Sequence, residues 1–265
     1  MDAFFLNLEI HGTKLRQVMQ FKSSILEDKI TTWNISRLKI ICCSLSKTKR
    51  QLFNYNIDTK NLVNFWYDYD EDYQCISFEI RWIFDRMVNL KIKDKMVFFI
   101  TKDSPYEMNV EVYDQNDKLI ANKVINLSIK AQVDICEPPS HLYLELPLCI
   151  KKSTFIDLLK FKIASKDGIE DIATIEICAP TFFQLKRKNK EKYVYGVKPR
   201  DGEIFKNEFN SYEIKCLGKL KDPTSVFRVY QPTDNNAPLK ISGNIAELGE
   251  WELYTYNAYT ELKED

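Results

Sequence analysis

Asp68, Asp70 and Asp72, with Glu79 twelfth in the count, form the one string in this 265-residue chain with metal-ligand spacing. A calcium loop takes oxygens at alternate positions and closes with a glutamate at position twelve, but it needs glycine at position six, where Tyr73 stands. Trp66 and ISFEI at 76–80 suggest flanking strands rather than helices, so the string reads as an acidic hairpin tip. Only His11 and His141 could work as acid or base near neutral pH, and neither has a Ser or Cys and a carboxylate at triad spacing. Cysteines stand at 42, 43, 75, 136, 149, 178 and 216, an odd number with no CxxC pair, and read as reduced core thiols rather than a disulfide framework or zinc site. No GxxxxGK[ST], GxSxG, HExxH or GxGxxG occurs, so no metal, no cofactor and no enzymatic activity are expected.

Charge offers a second kind of chemistry. The chain carries 38 basic and 38 acidic side chains, so any attraction for a polyanion rests on where the charges sit, not on their sum. KRKNKEK at 186–192 joins two strand-like runs and reads as a charged β-turn, with nuclear targeting or DNA contact as the competing reading. No run of about 18 apolar residues exists to span a bilayer, and MDAFFLNLEIHG lacks the basic region and cleavage site of a signal peptide. An intracellular protein without a membrane partner is expected.

The elements that would position these side chains are mostly strands. Leu6, Leu8 and Ile10 share one face of a period-2 segment, and similar runs recur from ITTWNI at 30–35 to WELYTYN at 251–257, including LYLELPL at 142–148. Helical spacing interrupts them four times, at Leu15, Val18 and Met19; at Ile83, Met87 and Leu90; at Phe155, Leu158 and Leu159; and at Phe209, Tyr212 and Cys216. These helices begin near residues 13, 82, 152 and 209, each after a strand and before several more, so a strand–helix–strands unit occurs four times. The expected class is α+β: two similar domains, 1–126 and 141–265, of antiparallel sheets with two helices each. SIKAQVDICEPPS interrupts the rhythm with two prolines, and 127–140 reads as a connector.

The side of each helix opposite its apolar stripe is basic or polar. Lys14, Arg16, Gln20 and Lys22 belong to the first helix, and Arg86, Asn89 and Lys91 to the second and the residues after it. Asp157, Lys160 and Lys162 follow this pattern in the third, and Ser211, Lys215 and Lys219 in the fourth. A single such face is ordinary solvated surface, whereas four related by rotation would form one surface that attracts phosphate backbones without reading sequence.

PLKISGNIAELGEWELYTYN at 238–257, followed by the acidic ELKED, resembles the C-terminus of the sliding clamps of the proliferating cell nuclear antigen (PCNA) family. LNLEIHGTKLRQVMQFKSSI, TWNIS and LKIICCSL are similar to that family's opening strand, DNA-facing helix and following strands. The resemblance implies the DNA clamp fold, with helices on the inner face and sheets outside. It implies a ring of subunits, usually a trimer, that encircles double-stranded DNA, is loaded by a separate ATP-dependent clamp loader and tethers a DNA polymerase and other clients. Arg16, Arg86, Lys160 and Lys219 look like counterparts of DNA-facing positions. The resemblance also locates a client groove beside the connector, at Cys43, Leu45, Ile129, Val133, Pro238, Tyr254 and Tyr256, which accepts a Gln-x-x-Leu/Ile-x-x-aromatic-aromatic peptide. Two alternatives stay open: a subunit of a heteromeric checkpoint-type clamp, and a clamp-derived scaffold or transcription accessory protein that does not encircle DNA.

Overall fold

A computed structural model describes residues 3–15, 30–46, 50–87, 89–129, 138–160, 172–187, 192–217, 225–245 and 247–258. The first half contains β1 (Phe4–His11), β2 (Ile30–Ser36), β3 (Lys39–Leu45), β4 (Gln51–Asp58), β5 (Asn64–Tyr67) and β6 (Tyr73–Glu79). It continues with β7 (Lys95–Thr101), β8 (Glu107–Tyr113), β9 (Leu119–Asn126) and β10 (Ser128–Ile129). The second half contains β11 (Leu148–Lys151), β12 (Ile172–Cys178), β13 (Phe182–Arg187), β14 (Lys192–Gly196), β15 (Phe205–Asn210), β16 (Val226–Tyr230), β17 (Leu239–Ile245) and β18 (Gly249–Thr255). Helix α1 is described over residues 12–15, and α2 (Arg81–Met87), α3 (Lys152–Leu158) and α4 (Ser211–Cys216) follow. Among the described residues no helix is long and apolar enough to cross a membrane.

The strands pair antiparallel in three sheets, ordered β5-β1-β7-β8-β9, β10-β6-β2-β3-β4-β18-β17-β16-β11 and β14-β13-β12-β15. This order reveals four copies of one unit: β1-α1-β2-β3-β4, β6-α2-β7-β8-β9, β11-α3-β12-β13-β14 and β15-α4-β16-β17-β18. Neighbouring units exchange their first strands. β1 pairs with β7 and β6 with β2, while β11 pairs with β16 and β15 with β12. A strand followed directly by a helix cannot hairpin onto its successor, so it completes the neighbouring unit's sheet instead.

The halves join where β4 pairs with β18 in continuous register from Gln51↔Thr255 to Gly249↔Ile57. Behind this seam the rings form a chain of contacts: Phe53 of β4 on Trp251 of β18, Trp251 on Phe227 of β16, and Phe227 stacked on Phe155 of α3 at 4.7 Å. All four side chains are essentially fully buried. A Cβ at Gly249 would collide with the Asn56 carbonyl, so only glycine lets β18 start this close to β4.

Several expectations need correction. LYLELPL is not a strand along its length: Ser140–Leu142 is a 3-10 turn, Tyr143 makes only an isolated bridge to Pro232, Leu144 and Leu146 are exposed, and a continuous ladder begins at Leu148, just past Pro147, which has no donor for a ladder. The acidic string is not a hairpin tip, because β5 pairs with β1 and β6 with β2, making 68–72 a crossover between sheets. Asp68 pairs with Lys102 at 2.6 Å, and no cluster of metal-ligating side chains occurs among the described residues. Helix α4 starts at Ser211, after Phe209 has paired in β15 with Ala173. This later start turns Ser211 inward, fully buried, and Tyr212 outward, while Ile214 and Leu217 take the core positions. Cys42, Cys75 and Cys178 are buried thiols as expected, whereas Cys149 is exposed because it alternates with the buried Leu148 and Ile150 and so takes the solvent face of β11.

Candidate functional site

Two regions gather the residues whose chemistry points outward: the helix faces and a groove beside residues 138–142. On the helices, Leu15, Ile83, Phe155, Leu158 and Ile214 are buried, which fixes the polar sides away from the core. Lys14 does not project freely from its helix. Its ammonium lies 2.9 Å from Glu247, in the turn between β17 and β18. The hydrogen bond from Lys14, then its charge, holds the Glu247 carboxyl below its ordinary pKa.

Arg86 is exposed at the end of α2 with its guanidinium 5.6 Å above the Trp82 ring. Asn89 and Lys91 are exposed in the following turn, which is closed by the Lys91 N–H donating to Asp94 Oδ2 at 2.8 Å. Lys160, just past α3, is exposed and pairs with Asp157 at 2.7 Å, and Lys215 on α4 is half-buried. Arg16, Gln20, Lys22, Lys162 and Lys219 lie outside the described residues.

The groove is a depression of about 340 Å³ lined by Pro138, Pro139, Leu142, Ala237, Pro238 and Tyr256, with Asp234 and Asn236 also in its lining. Proline-rich walls give it a shape that is largely set before anything binds. Of the seven expected groove residues, Pro238 and Tyr256 line it directly. Tyr254 is buried beside it at 1% exposure, packed with Tyr143, Leu52, Leu142 and Tyr230 in a small cluster of its own. The register places Leu45 opposite Leu52 and Cys43 opposite Asn54, so both occupy rows that continue through β4 to Tyr254 and Glu252. Ile129 stands elsewhere. On β10 it pairs with Ile76 at the far end of the nine-stranded sheet, five strands from β18, or about 24 Å at the spacing of paired strands. Val133 lies outside the described residues.

Sequence reasoning missed Pro138, Pro139 and Leu142 as groove residues, and Tyr143 as the buried residue that braces the groove from behind. The paired prolines followed by two large apolar residues were the available signal, obscured by the strand-like alternation of LYLELPL. Tyr143 donates from its hydroxyl to the Pro238 carbonyl at 3.0 Å, and burial pushes that hydroxyl's pKa well above the usual phenol value, so it remains a donor.

Exchanged first strands, helices following β1, β6, β11 and β15, and a seam between the first and fourth units together define the PCNA-like clamp fold. The structure matches that of the proliferating cellular nuclear antigen from Entamoeba histolytica with a TM-score of 0.75, covering 97% of this chain and 100% of that one at 13% identity. It matches a PCNA2–PCNA3 complex structure from Sulfolobus tokodaii with a TM-score of 0.67, covering 95% and 99% at 11% identity. No protein-family model and no curated protein sequence matches the chain. At these identities the likeness is one of fold.

Proposed function

We propose that this protein is a processivity clamp: copies of the chain close into a ring, most simply of three, around duplex DNA and tether a DNA polymerase and other DNA enzymes through the groove. The observation that carries this reading is a pair of open edges. Within the chain, the last strand of the first unit, β4, is mated antiparallel to the last strand of the fourth, β18, while the last strands of the second and third units, β9 and β14, end their sheets unpaired by any described strand. Both present apolar side chains to solvent, with Ile120 and Val124 about half exposed on β9 and Val194 similarly on β14. Such edges are a liability unless covered, and a β9-to-β14 joint between copies repeats the internal seam. That joint is head-to-tail and, where its rotation closes, generates a ring.

The cations after and along the helices, Arg86, Lys91, Lys160 and Lys215, with Arg16, Lys22, Lys162 and Lys219, suit weak, sequence-independent contact with phosphates. Such binding falls steeply with salt and leaves the ring free to slide. A separate ATP-dependent loader opens the ring, the protein itself is a scaffold and not an enzyme, and it works where DNA is replicated.

Light scattering on the isolated chain tests the ring. Three chain masses are expected, and retention on circular but not linearised DNA should follow. A second reading, a subunit of a heteromeric ring, is favoured by the likeness to a complex of two different clamp proteins. A monomer that assembles only with a different partner would establish that reading instead. A monomer under every condition, or equal retention on linear DNA, would exclude encirclement.

A further inference from the structure

The face of the nine-stranded sheet turned away from the core carries a row that crosses four strands: Tyr230, Lys240, Tyr254 and Leu52. A lysine on an outer sheet face ordinarily runs its stem over its neighbours and delivers its ammonium to water. Lys240 does not, since its side chain is only 17% exposed. Its ammonium lies 5.0 Å from the centre of the Tyr230 ring, 5.4 Å from that of Tyr254 and 5.7 Å from that of Tyr143, which folds over the row from the segment that follows Pro139. Glu252 completes the enclosure, with one oxygen 2.7 Å from the ammonium and the other accepting from the Tyr254 hydroxyl at 2.8 Å. Three ring faces and one carboxylate around a single cation form an aromatic cage of the kind that captures alkylammonium ligands, here filled by the chain's own lysine.

What the cage holds from above is Tyr143, and Tyr143 belongs to the groove. Its neighbour Leu142 lines one wall, and its hydroxyl is bonded to the carbonyl of Pro238 in the other. The backbone on either side is pinned to the end of β16 by Leu144 N–H to the Gln231 carbonyl and Thr233 N–H to the Leu142 carbonyl. We propose that Lys240 is the positioning residue of the groove: its caged ammonium fixes Tyr143, and through it the segment 138–147, in the arrangement that a client peptide meets. The proposal rests on reading this groove as the client site and goes beyond it by naming the side chain that sets the groove's shape. The requirement is for charge, not length. A neutral side chain of equal reach leaves the Glu252 carboxylate, itself only 16% exposed, without its cation and removes the partner common to the three rings.

The test compares the full chain with Lys240→Met and Lys240→Arg variants, by amide hydrogen exchange and by anisotropy titration of a labelled Gln-x-x-Leu-x-x-Phe-Phe peptide. In Lys240→Met, exchange across 138–147 is expected to rise about tenfold and peptide affinity to fall by a similar factor, the scale of losing desolvated cation–ring contacts, while amides of β1 and β7 keep their protection. Lys240→Arg is expected to restore both, because a guanidinium is a cation that stacks on aromatic faces. In Lys240→Ala, added n-propylammonium should recover peptide affinity where n-propanol does not. Unchanged exchange over 138–147 in Lys240→Met overturns the proposal, as does raised exchange with undiminished peptide affinity. A wild-type chain that takes up no peptide sinks the client-site reading instead, and the exchange comparison still decides whether Lys240 positions the segment.

Discussion

Lys14 and Glu247 stand 233 positions apart in the chain, and their contact decides what Lys14 has left to offer a phosphate. Because the Glu247 pKa is lowered on folding, its contribution to stability is fully present above the ordinary glutamate value and is lost as pH falls through the lowered one. Glu247→Gln should therefore melt slightly below wild type at neutral pH and level with it well under the glutamate range, as read by thermal unfolding at the two pH values. The same variant releases Lys14, so if the helix faces contact DNA its affinity at low salt should rise, and its log–log salt slope steepen by about 1. A second single-atom change addresses the groove. Tyr143→Phe deletes the bond to the Pro238 carbonyl and should cost about 1 kcal/mol in denaturant unfolding. Helical spacing was enough to put Lys14 on a polar face; it could not reveal a partner supplied by a turn at the other end of the chain. The Asp157–Lys160 pair, three residues apart, was open to inspection in the sequence.

The strands were the legible elements wherever one face meets the core and the other meets solvent. β1, β7 and β8 alternate buried and partly exposed residues along their length, and this alternation is what a sequence displays. The short pieces were not legible. β15 carries FKNEFN, whose pairing to β12 comes from the exchange of first strands between units rather than from any β-rich composition, so Phe209 was assigned to a helix that starts two residues later. LYLELPL alternates well, yet it is held by single contacts to the end of β16, and tertiary placement overrode its pattern. The elements around the seam meet in Trp251, buried completely between Phe53 and Phe227. Trp251→Ala should cost about 3–5 kcal/mol in a denaturant titration, through lost burial and the cavity left behind. Gly249→Ala should also destabilise, although it adds only a methyl, because the neighbouring Asn56 carbonyl must move. A neutral result there would show that β18 can start farther from β4.

Four units arranged in one chain leave their last strands in two states, mated with each other at β4 and β18 and at the open end of a sheet at β9 and β14. If the open pair mates between copies, Val194→Pro, which removes a donor from β14, should reduce the mass in light scattering to that of one chain while circular dichroism keeps the strand signal. An undiminished mass would place the joint elsewhere. The internal seam has a temporal side as well. The sheet β5-β1-β7-β8-β9 has all of its strands once residue 126 has been synthesised, but β4 must wait for β18, whose last residue is Thr255. Gln51 and Thr255 are 204 positions apart, so the closing contact is among the most non-local the chain makes, and such contacts slow folding. Until β18 arrives, β4 offers a bare edge with buried-type side chains on both faces, an invitation to pair with another nascent chain. A chain ended before Leu239 keeps that edge permanently. It should aggregate even with its first sheet intact, because no other described strand takes the place of β18 against β4.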